Sequence, residues 1–409
     1  MTTTINNEHK KLNVPNLRFK EFQGEWEKCT LSEVCKFHNG RAYKQSELLA
    51  AGKYRILRVG NFFTNDSWYY SNLELEDNKY AQDGDLLYAW SASFGPRFWK
   101  EEKVIYHYHI WKIDSFKNVD KEFMYHFLDL DSSKIKNEVQ GGTMVHITKG
   151  NMEKRTISYP SINEQKKIAK LLSLLDERIS TQNKIIEDLK KLKSAIIEKV
   201  FCSPNQEYPM CRIEGFEQAL STYKMSDFSS RIATKNKDSK CSLVLTIAAQ
   251  YGLVNQESFF NKSVASENLT GYYLLHKGEF AYNRSYSAGY NWGAVKRLDN
   301  YDEGVLSTLY ICFKINETIV DSDYLAYYFE STKWHRGLSD IAGEGARNHG
   351  LLNVSITDYF NTKHRFPVIE EQKAIAKMLN TITEKERKAT LLGECYQKQK
   401  QYLLRQMFI

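Results

Sequence analysis

Proline is scarce in this chain. Six prolines punctuate 409 residues, so long uninterrupted helices are allowed. Cysteine pairing is missing too: the seven cysteines, at positions 29, 35, 202, 211, 241, 312 and 395, are odd in number and form no Cys-x-x-Cys pair. That argues against a disulfide framework or a thiolate zinc site and fits the reduced thiols of a cytoplasmic protein. No apolar run approaches the roughly 20 residues of a membrane span. The opening MTTTINNEHKKLN is polar, without the apolar core of a secretory leader. A cytoplasmic location with no membrane partner is expected. Charge of one sign is not extreme: 57 basic against 50 acidic residues give +7, which suits an anionic partner better than a cationic one.

Catalytic signatures are also lacking. There is no Gly-x4-Gly-Lys-Ser/Thr phosphate loop, no His-Glu-x-x-His and no Asn/Asp-Pro-Pro-aromatic methyltransferase motif. The nearest glycine pattern, Gly343 and Gly345 followed by Asn348, lacks a third glycine and follows no clear strand. His107 and His109 alternate within a strand-like run and would share a face. Half-buried strand side chains are a plainer reading of them than metal ligands, and no metal is expected.

What the chain does have is a long heptad. Between 161 and 201 no Pro or Gly occurs. Apolar residues recur there in alternating steps of four and three: Ile168, Leu172, Leu175, Ile179, Ile186, Leu189, Ile196 and Val200, with only Gln182 and Lys193 interrupting. This is the seam of a helix burying a narrow stripe against another helix. At about 1.5 Å per residue it runs on the order of 60 Å, so a partner is required.

That partner is the C-terminal stretch, 369–409. A shift of 207 (372 − 165) carries Gln165 onto Gln372, Pro160 onto Pro367, Glu164 onto Glu371, Ile168 onto Ile375 and Phe201 onto Phe408. Its seam reads Ile375, Leu379, Ile382, Tyr396, Leu403 and Met407, and it is the weaker one. Glu386 and Lys400 occupy apolar slots, and Gly393 lies on the seam, where a helix-interior glycine costs about 1 kcal/mol. A bend or local weakness is expected there.

The rest of the chain is duplicated with the helices. Gly84 in GDLLYAW corresponds to Gly278 in GEFAYNR, and LSEV at Leu31 to MSDF at Met225, both at a shift of 194 (278 − 84). The growth from 194 to 207 puts about thirteen extra residues in the second globular half. Strand-like runs are expected at 54–62, 85–90, 104–113 and 310–315, and helices at 120–130 and 323–331. The layout reads as a disordered tail (1–13), a globular domain (14–160), a long helix (161–201), a linker with Pro204 and Pro209 (202–215), a second globular domain (216–368) and a second long helix (369–409). Antiparallel helices are expected, because a parallel pair would need a return path that fourteen linker residues, at about 3.5 Å each, could barely span.

Binding chemistry concentrates in paired loops. The stretch 90–100, WSASFGPRFWK, carries Trp90, Ser91, Ser93 and Arg97. Its counterpart 283–293, NRSYSAGYNWG, carries Asn283, Arg284, Tyr286, Tyr290 and Asn291. Small residues let backbone approach a phosphate, while Arg reaches phosphates or base edges; ordinary hairpin loops are the competing reading. A second pair is Gly-rich as well: 141–150 with Thr143, His146 and Lys149, and 343–352 with Arg347, Asn348 and His349. Lys44, Arg55, Arg58 and Asn61 flank the 54–62 run, where a solvated face is the alternative. The recurrence of two loop types in both copies favours binding.

With these features the chain resembles the specificity subunits of type I restriction–modification systems, the HsdS family. The resemblance covers nearly all of 17–408. It is carried by Trp26 with the LSEV of Leu31–Val34, by GDLLYAW, by the two Pro-x-x-x-Glu-Gln helix starts and by the duplicated order. It implies a non-catalytic subunit with two target recognition domains, each α/β with a twisted sheet, separated by two long antiparallel coiled-coil helices with pseudo-twofold symmetry inside one chain. Each domain would read one half of a bipartite, asymmetric site in double-stranded DNA, with the gap set by the helices. Two modification subunits would methylate adenine N6 from S-adenosylmethionine. Restriction subunits would use ATP, with Mg. None of these cofactors is expected on this chain. From the residues alone the alternative is a non-enzymatic scaffold with two ligand-binding modules on a helical rod, which salt-sensitive duplex binding would separate from a DNA reader.

The duplication makes recognition separable from spacing. Exchanging residues 17–150 for the equivalent segment of a relative is expected to change one half of the methylated motif and to keep the other. A hybrid that assembles and methylates the original site would contradict this.

Overall fold

The computed structural model describes residues 12–409 except 64, 92–93, 139–145, 263–267, 286–288, 342–346 and 349–350. The chain divides into two compact units, Met1–Asn183 with Leu391–Ile409, and Lys184–Thr390. All seven cysteines are free thiols.

In the first unit Glu27–Thr30 pairs antiparallel with Thr156–Tyr159, so the domain closes its start against its end. An antiparallel sheet follows in the order Lys36–Asn39, Ile110–Asp114, Leu86–Ala89, Gly95–Phe98. A second sheet runs Tyr69–Ser71, Tyr54–Leu57, Val104–Tyr106, Tyr80–Ala81, with its central pair parallel. Leu86–Ala89 is buried at every residue, as a strand covered on both faces must be, and so it shows no polar alternation. Helix Lys121–Glu138 packs on strand Gly95–Phe98. Trp26, Phe37, Tyr88, Trp111 and Phe123 form the core, which takes in Ile168 and Leu172 of the first long helix and Leu404, Met407 and Phe408 of the C-terminus.

The second unit repeats the plan. Ser221–Lys224 pairs with Lys363–Phe366, and the antiparallel sheet runs Ser229–Arg231, Ile311–Ile315, Phe280–Asn283, Ala294–Arg297. Where the first unit has its second four-stranded sheet, this unit has two antiparallel pairs, Leu245–Ala248 with Gly252–Asn255 and Tyr273–His276 with Glu303–Leu306. Its core of Phe280, Tyr282, Phe313, Tyr328 and Tyr359 takes in Ile197, Phe201, Ile375 and Leu379.

Three expectations change. The 54–62 run is a strand only over Tyr54–Leu57; Val59–Phe63 is a helix. The 104–113 run is two strands, Val104–Tyr106 and Ile110–Asp114, with a reversal at 107–109 closed by Ile110 N donating to His107 O at 2.9 Å. His107 and His109 therefore lie in a turn and do not share a strand face. Gly40 passes so close beneath this turn that a Cβ there would lie 2.3 Å from His107 O. Finally, the expected linker is tied down before its end: Cys202 is buried, Cys211 N donates to Lys199 O at 3.0 Å, and Arg212 pairs with Glu371 at 2.7 Å. The second copy therefore begins earlier than 216. Of the expected tail, residues 1–11 lie outside the described residues, and Asn13 is held by Trp26 through both its backbone and its side chain.

The reason for the Glu-Gln pair at each helix start is now visible. Arg18 donates to buried Glu164 at 2.7 and 2.8 Å, and Arg212 donates to buried Glu371 at 2.9 and 2.7 Å. Gln165 accepts from Asp120 N (2.7 Å) and donates to Asn118 O (2.9 Å) and Pro160 O (2.8 Å). Gln372 does the same with Asp321 N (2.9 Å), Ile319 O (3.1 Å) and Pro367 O (2.9 Å). One amide satisfies three backbone groups, of which the proline carbonyl is bonded in a fully buried setting.

Both long helices are unbroken, Ile162–Val200 and Ile369–Met407, and the second continues as helix through Gly393. Every seam position of both is buried or half-buried, while Leu174, Ile185 and Leu192 beside the first seam are exposed. The residues that interrupt the seams have partners. In the first unit Lys400 Nζ lies 2.7 Å from Asp176 and 2.9 Å from Asp129, and Arg178 lies over the Tyr396 ring at 6.0 Å. In the second unit Lys193 Nζ lies 2.8 Å from Glu386. Within each unit one helix segment thus meets the other running in the opposite direction. In the first unit this register carries buried Gln182 to about the level of buried Gly393.

Replacing Gln165 by Ala leaves one N–H and two carbonyls without their side-chain partner, a cost of about 1–3 kcal/mol. Segment-resolved hydrogen exchange is expected to quicken around 118–123 and to stay unchanged around 319–325, with Gln372→Ala giving the mirror result. Equal exchange in wild type and variant would remove the clamp role.

Candidate nucleic-acid interface

Two of the expected loops converge in the first unit. Ser91 and His146 form a β-bridge. The Trp90 ring meets His109 at 5.0 Å, His146 at 6.0 Å and Tyr108 at 6.1 Å, and stacks on buried Trp111 at 5.8 Å. Its Nε1 donates to Tyr108 O at 2.8 Å. The 107–109 turn adds His107 and an exposed Tyr108 to this surface. Sequence reasoning weighed the two histidines as half-buried strand side chains or metal ligands and missed Tyr108; the run of ring residues between two strands was the available signal. Among the described residues no group of three or more His, Cys, Asp or Glu is placed to hold a metal ion. Ser93 and Thr143 lie outside the described residues. Lys149 opens the short helix Lys149–Glu153, which Thr148 caps, and lies 3.5 Å from Glu153.

Burial pushes His107 down to about 4, with His109 and Arg58 adding to it, and lowers His109 as well. These imidazoles are neutral near pH 7. Each then offers one donor and one acceptor, which is the chemistry that matches base edges rather than phosphates.

A cationic surface adjoins them, since His107 N donates to Leu57 O at 2.9 Å, next to Arg58. Arg58 lies over the Tyr69 ring at 4.3 Å and donates to Asn61 Oδ1 and Ser67 O; Asn61 in turn donates to Ser67 O and Asn65 O. Arg97 donates to Phe62 O, lies over Phe62 and Phe63 at 5.5 and 5.4 Å, and remains exposed. Lys44 is exposed. Arg55 is different. It pairs with Glu101 (2.9 Å) and Glu102 (3.2 Å) and covers Trp68 at 4.7 Å, so its charge is balanced within the protein.

In the second unit Arg284 is a tie. It donates to Val354 O and Leu309 O, both at 3.1 Å, and its own carbonyl accepts from Leu352 N at 3.0 Å. It fastens the first loop to the second, as the Ser91–His146 bridge does in the other copy, and those donors are not free for a phosphate. Asn283 accepts from Ser285 N at 3.0 Å. Its carbonyl lies against Gly293, at φ +74°, where a Cβ would come within 2.1 Å, so this loop closure requires glycine. Tyr290 is half-buried and Asn291 exposed. Tyr286 and His349 lie outside the described residues. Arg347 and Asn348 form a short strand paired with Leu351–Leu352. Sequence reasoning missed an aromatic surface here: Tyr251, Phe259 and Phe260 are exposed, with Tyr251 to Phe259 at 6.5 Å and Phe259 to Phe260 at 5.0 Å. Helix Gln256–Phe260 ends in Phe-Phe as Val59–Phe63 does, and that shared ending was the signal.

Residues 23–191 match the family model for the type I restriction modification DNA specificity domain. The type I restriction enzyme MjaVIII specificity subunit of Methanocaldococcus jannaschii is 24% identical over 324 residues, 74% of this chain and 73% of that subunit. The EcoBI specificity subunit of Escherichia coli is 24% identical over 179 residues, 42% of this chain and 38% of its own length. Among solved structures, the type I restriction–modification S subunit from M. genitalium shares the fold at a TM-score of 0.58 and 16% identity, covering 97% of this chain and 99% of that one. A chain from a type I R-M system studied for complex assembly and conformational transition shares it at 0.53 and 14%, covering 93% and 96%.

Because His107 stays neutral in the folded chain down to about pH 4 while an unfolded His takes a proton near 6.5, protons favour the unfolded state between those values. Stability is expected to fall as pH drops from 6.5 to 4. His107→Asn should remove that part of the slope in urea titrations at stepped pH; an unchanged slope would show that His107 is not held neutral.

Proposed function

We propose that this chain, whose residues 23–191 match the family model for the type I restriction modification DNA specificity domain, is the DNA-reading, non-catalytic subunit of a type I restriction–modification complex. It reads a two-part, asymmetric site, one half per recognition domain. The observation that carries this is the contrast between frame and surface. Arg18–Glu164 and Arg212–Glu371, with the Gln165 and Gln372 clamps, hold the two units in the same way. The loops those frames present differ: indole and neutral imidazoles in one, Tyr290, Asn291 and an exposed Tyr-Phe-Phe group in the other. Two equal frames with unequal loops suit two unlike half-sites.

In this reading Trp90, Tyr108, His109 and His146 face bases, while Arg58, Arg97, Lys44 and Lys149 neutralise phosphates of the first half-site. Partner subunits do the chemistry. Adenine N6 lies inside the base stack, so a modification subunit must swing the base out; two such subunits carrying S-adenosylmethionine, and restriction subunits using ATP and Mg, complete the assembly. None of these cofactors is assigned to this chain. Among the described residues no helix is long and apolar enough to cross a membrane, and work on DNA points to the cytoplasm.

The long helices set the gap as a coiled-coil ruler. One heptad inserted in each, after Gln182 and after Ala389, preserves the phase of the seam and lengthens the pair by about 10 Å, or about three base pairs at roughly 3.4 Å each. Mapping methylated adenines made with the modification subunit should show the same bases and a gap about three pairs longer. Active methylation at the original gap would show that the helices are not the ruler, and methylation without any two-part site would sink the functional reading itself.

A further inference from the structure

Three elements of the first unit meet at one ammonium group. Lys400, on the second long helix, lies 2.7 Å from Asp176 on the first long helix and 2.9 Å from Asp129 on helix Lys121–Glu138 of the recognition domain. The lysine side chain is 13% exposed. Wholly buried His126 completes the group, its Nε2 3.1 Å from Ser173 Oγ and its Nδ1 3.9 Å from Asp176. Burial, with Lys400 nearby, holds His126 well below its usual range, down to about 3, so Lys400 is the cation that offsets the two carboxylates.

The second unit is wired differently at the equivalent positions. The 207 shift carries Lys400 back to Lys193, which among the described residues pairs with one carboxylate, that of Glu386, at 2.8 Å. The recognition-domain helix there is tied by hydrogen bonds: Tyr327 OH lies 2.9 Å from both Asn380 Oδ1 and Thr383 Oγ1, and Asn380 Nδ2 donates to Asp323 at 2.7 Å. Glu330, the counterpart of Asp129, turns instead towards Lys296 at 3.9 Å. Among the described residues, only in the first unit does a single lysine pair with carboxylates of both the other long helix and the recognition domain.

The domain arm of that junction leads to the reading surface. Helix Lys121–Glu138 supports strand Gly95–Phe98: Tyr125 stacks on Phe98 at 5.1 Å, and Ser132 lies beneath Gly95. That strand is one arm of the hairpin whose turn carries Trp90 and Ser91 and whose second strand carries Arg97. We propose that Asp129, held by Lys400, is a positioning residue: it seats the first recognition domain on the helices and so fixes where its half-site falls relative to the other. This rests on the functional reading above.

The test uses the full chain with its modification subunit and duplexes holding both half-sites at the native gap or at a gap one base pair shorter or longer. Asp129→Asn cuts the domain arm and leaves Lys400 with Asp176. It is expected to raise methylation at altered gaps, relative to the native gap, on the order of tenfold, with base preferences in both half-sites unchanged. Asp129→Glu keeps the charge and should retain wild-type discrimination. Asp176→Asn keeps the domain arm and should stay within about twofold of wild type. If Asp129→Asn does not assemble, Asp129→Ser is read by the same ratio. An Asp129→Asn ratio within about twofold of wild type, or equal loosening by Asp176→Asn, overturns the inference while leaving the functional reading intact. A wild-type complex that methylates no two-part site overturns that reading, and this inference with it.

Discussion

A helix of 39 residues with an apolar stripe one side chain wide cannot bury that stripe against itself, and the rest of the chain answers that constraint. The stripe of Ile162–Val200 needs a second helix of equal length, which the duplication supplies as Ile369–Met407. Each globular core then closes over the ends that reach it. Ile168 and Leu172 enter one core with Met407 and Phe408, and Ile197 and Phe201 enter the other with Ile375 and Leu379. Neither core is complete without residues from both helices, so each unit holds two distant parts of the sequence.

The seam is not maximally apolar, and its polar residues are informative. A buried ion pair adds little net stability over a well-packed apolar pair, because desolvation consumes most of the Coulombic gain. It does discriminate among alignments, since a slipped register leaves a buried charge unpaired. Lys193 with Glu386, and Lys400 with Asp176 and Asp129, oppose sliding in each unit separately. An all-leucine seam would bind more tightly and tolerate a heptad slip.

This is also where reading the sequence ran out. The 3.5-residue period exposed the seam because periodicity is local. Lys193, Glu386 and Lys400 read as defects when each helix is taken alone, and the residue that pairs with each lies some two hundred positions away. The same limit applied to His107 and His109. An unbroken run of apolar and ring residues reads as one strand, and only the close approach of Gly40 to His107 O shows why the chain reverses there. Val59–Phe63 was taken for strand because a short apolar run fits either period. The Glu-Gln repeat stood out early, yet its purpose depended on Arg18 and on the carbonyls of Asn118 and Pro160, which no pattern in 160–170 reveals. Of the site residues, Trp90, Ser91 and His146 come together as their loops suggested. Arg55 and Arg284 did not keep their expected roles, because carboxylates and carbonyls supplied by other segments occupy them.

Where backbone accounting dictates a residue, the two copies agree almost atom for atom. Gln165 and Gln372 each serve one N–H and two carbonyls, and a substitution in either copy would leave the same three groups unpaired. Where only a shape must be held, the copies differ in chemistry. Loop is fastened to loop by the Ser91–His146 bridge in one and by Arg284 in the other; recognition helix is fastened to long helix by an ion junction in one and by a phenol and an aspartate–asparagine bond in the other. Beyond the fastenings, on the surfaces turned outward, little sequence correspondence is left. That gradient, from identical clamp through equivalent tie to unlike surface, is what divergence produces when the inner layer answers to the chain's own hydrogen bonds and the outer layer answers to something outside it.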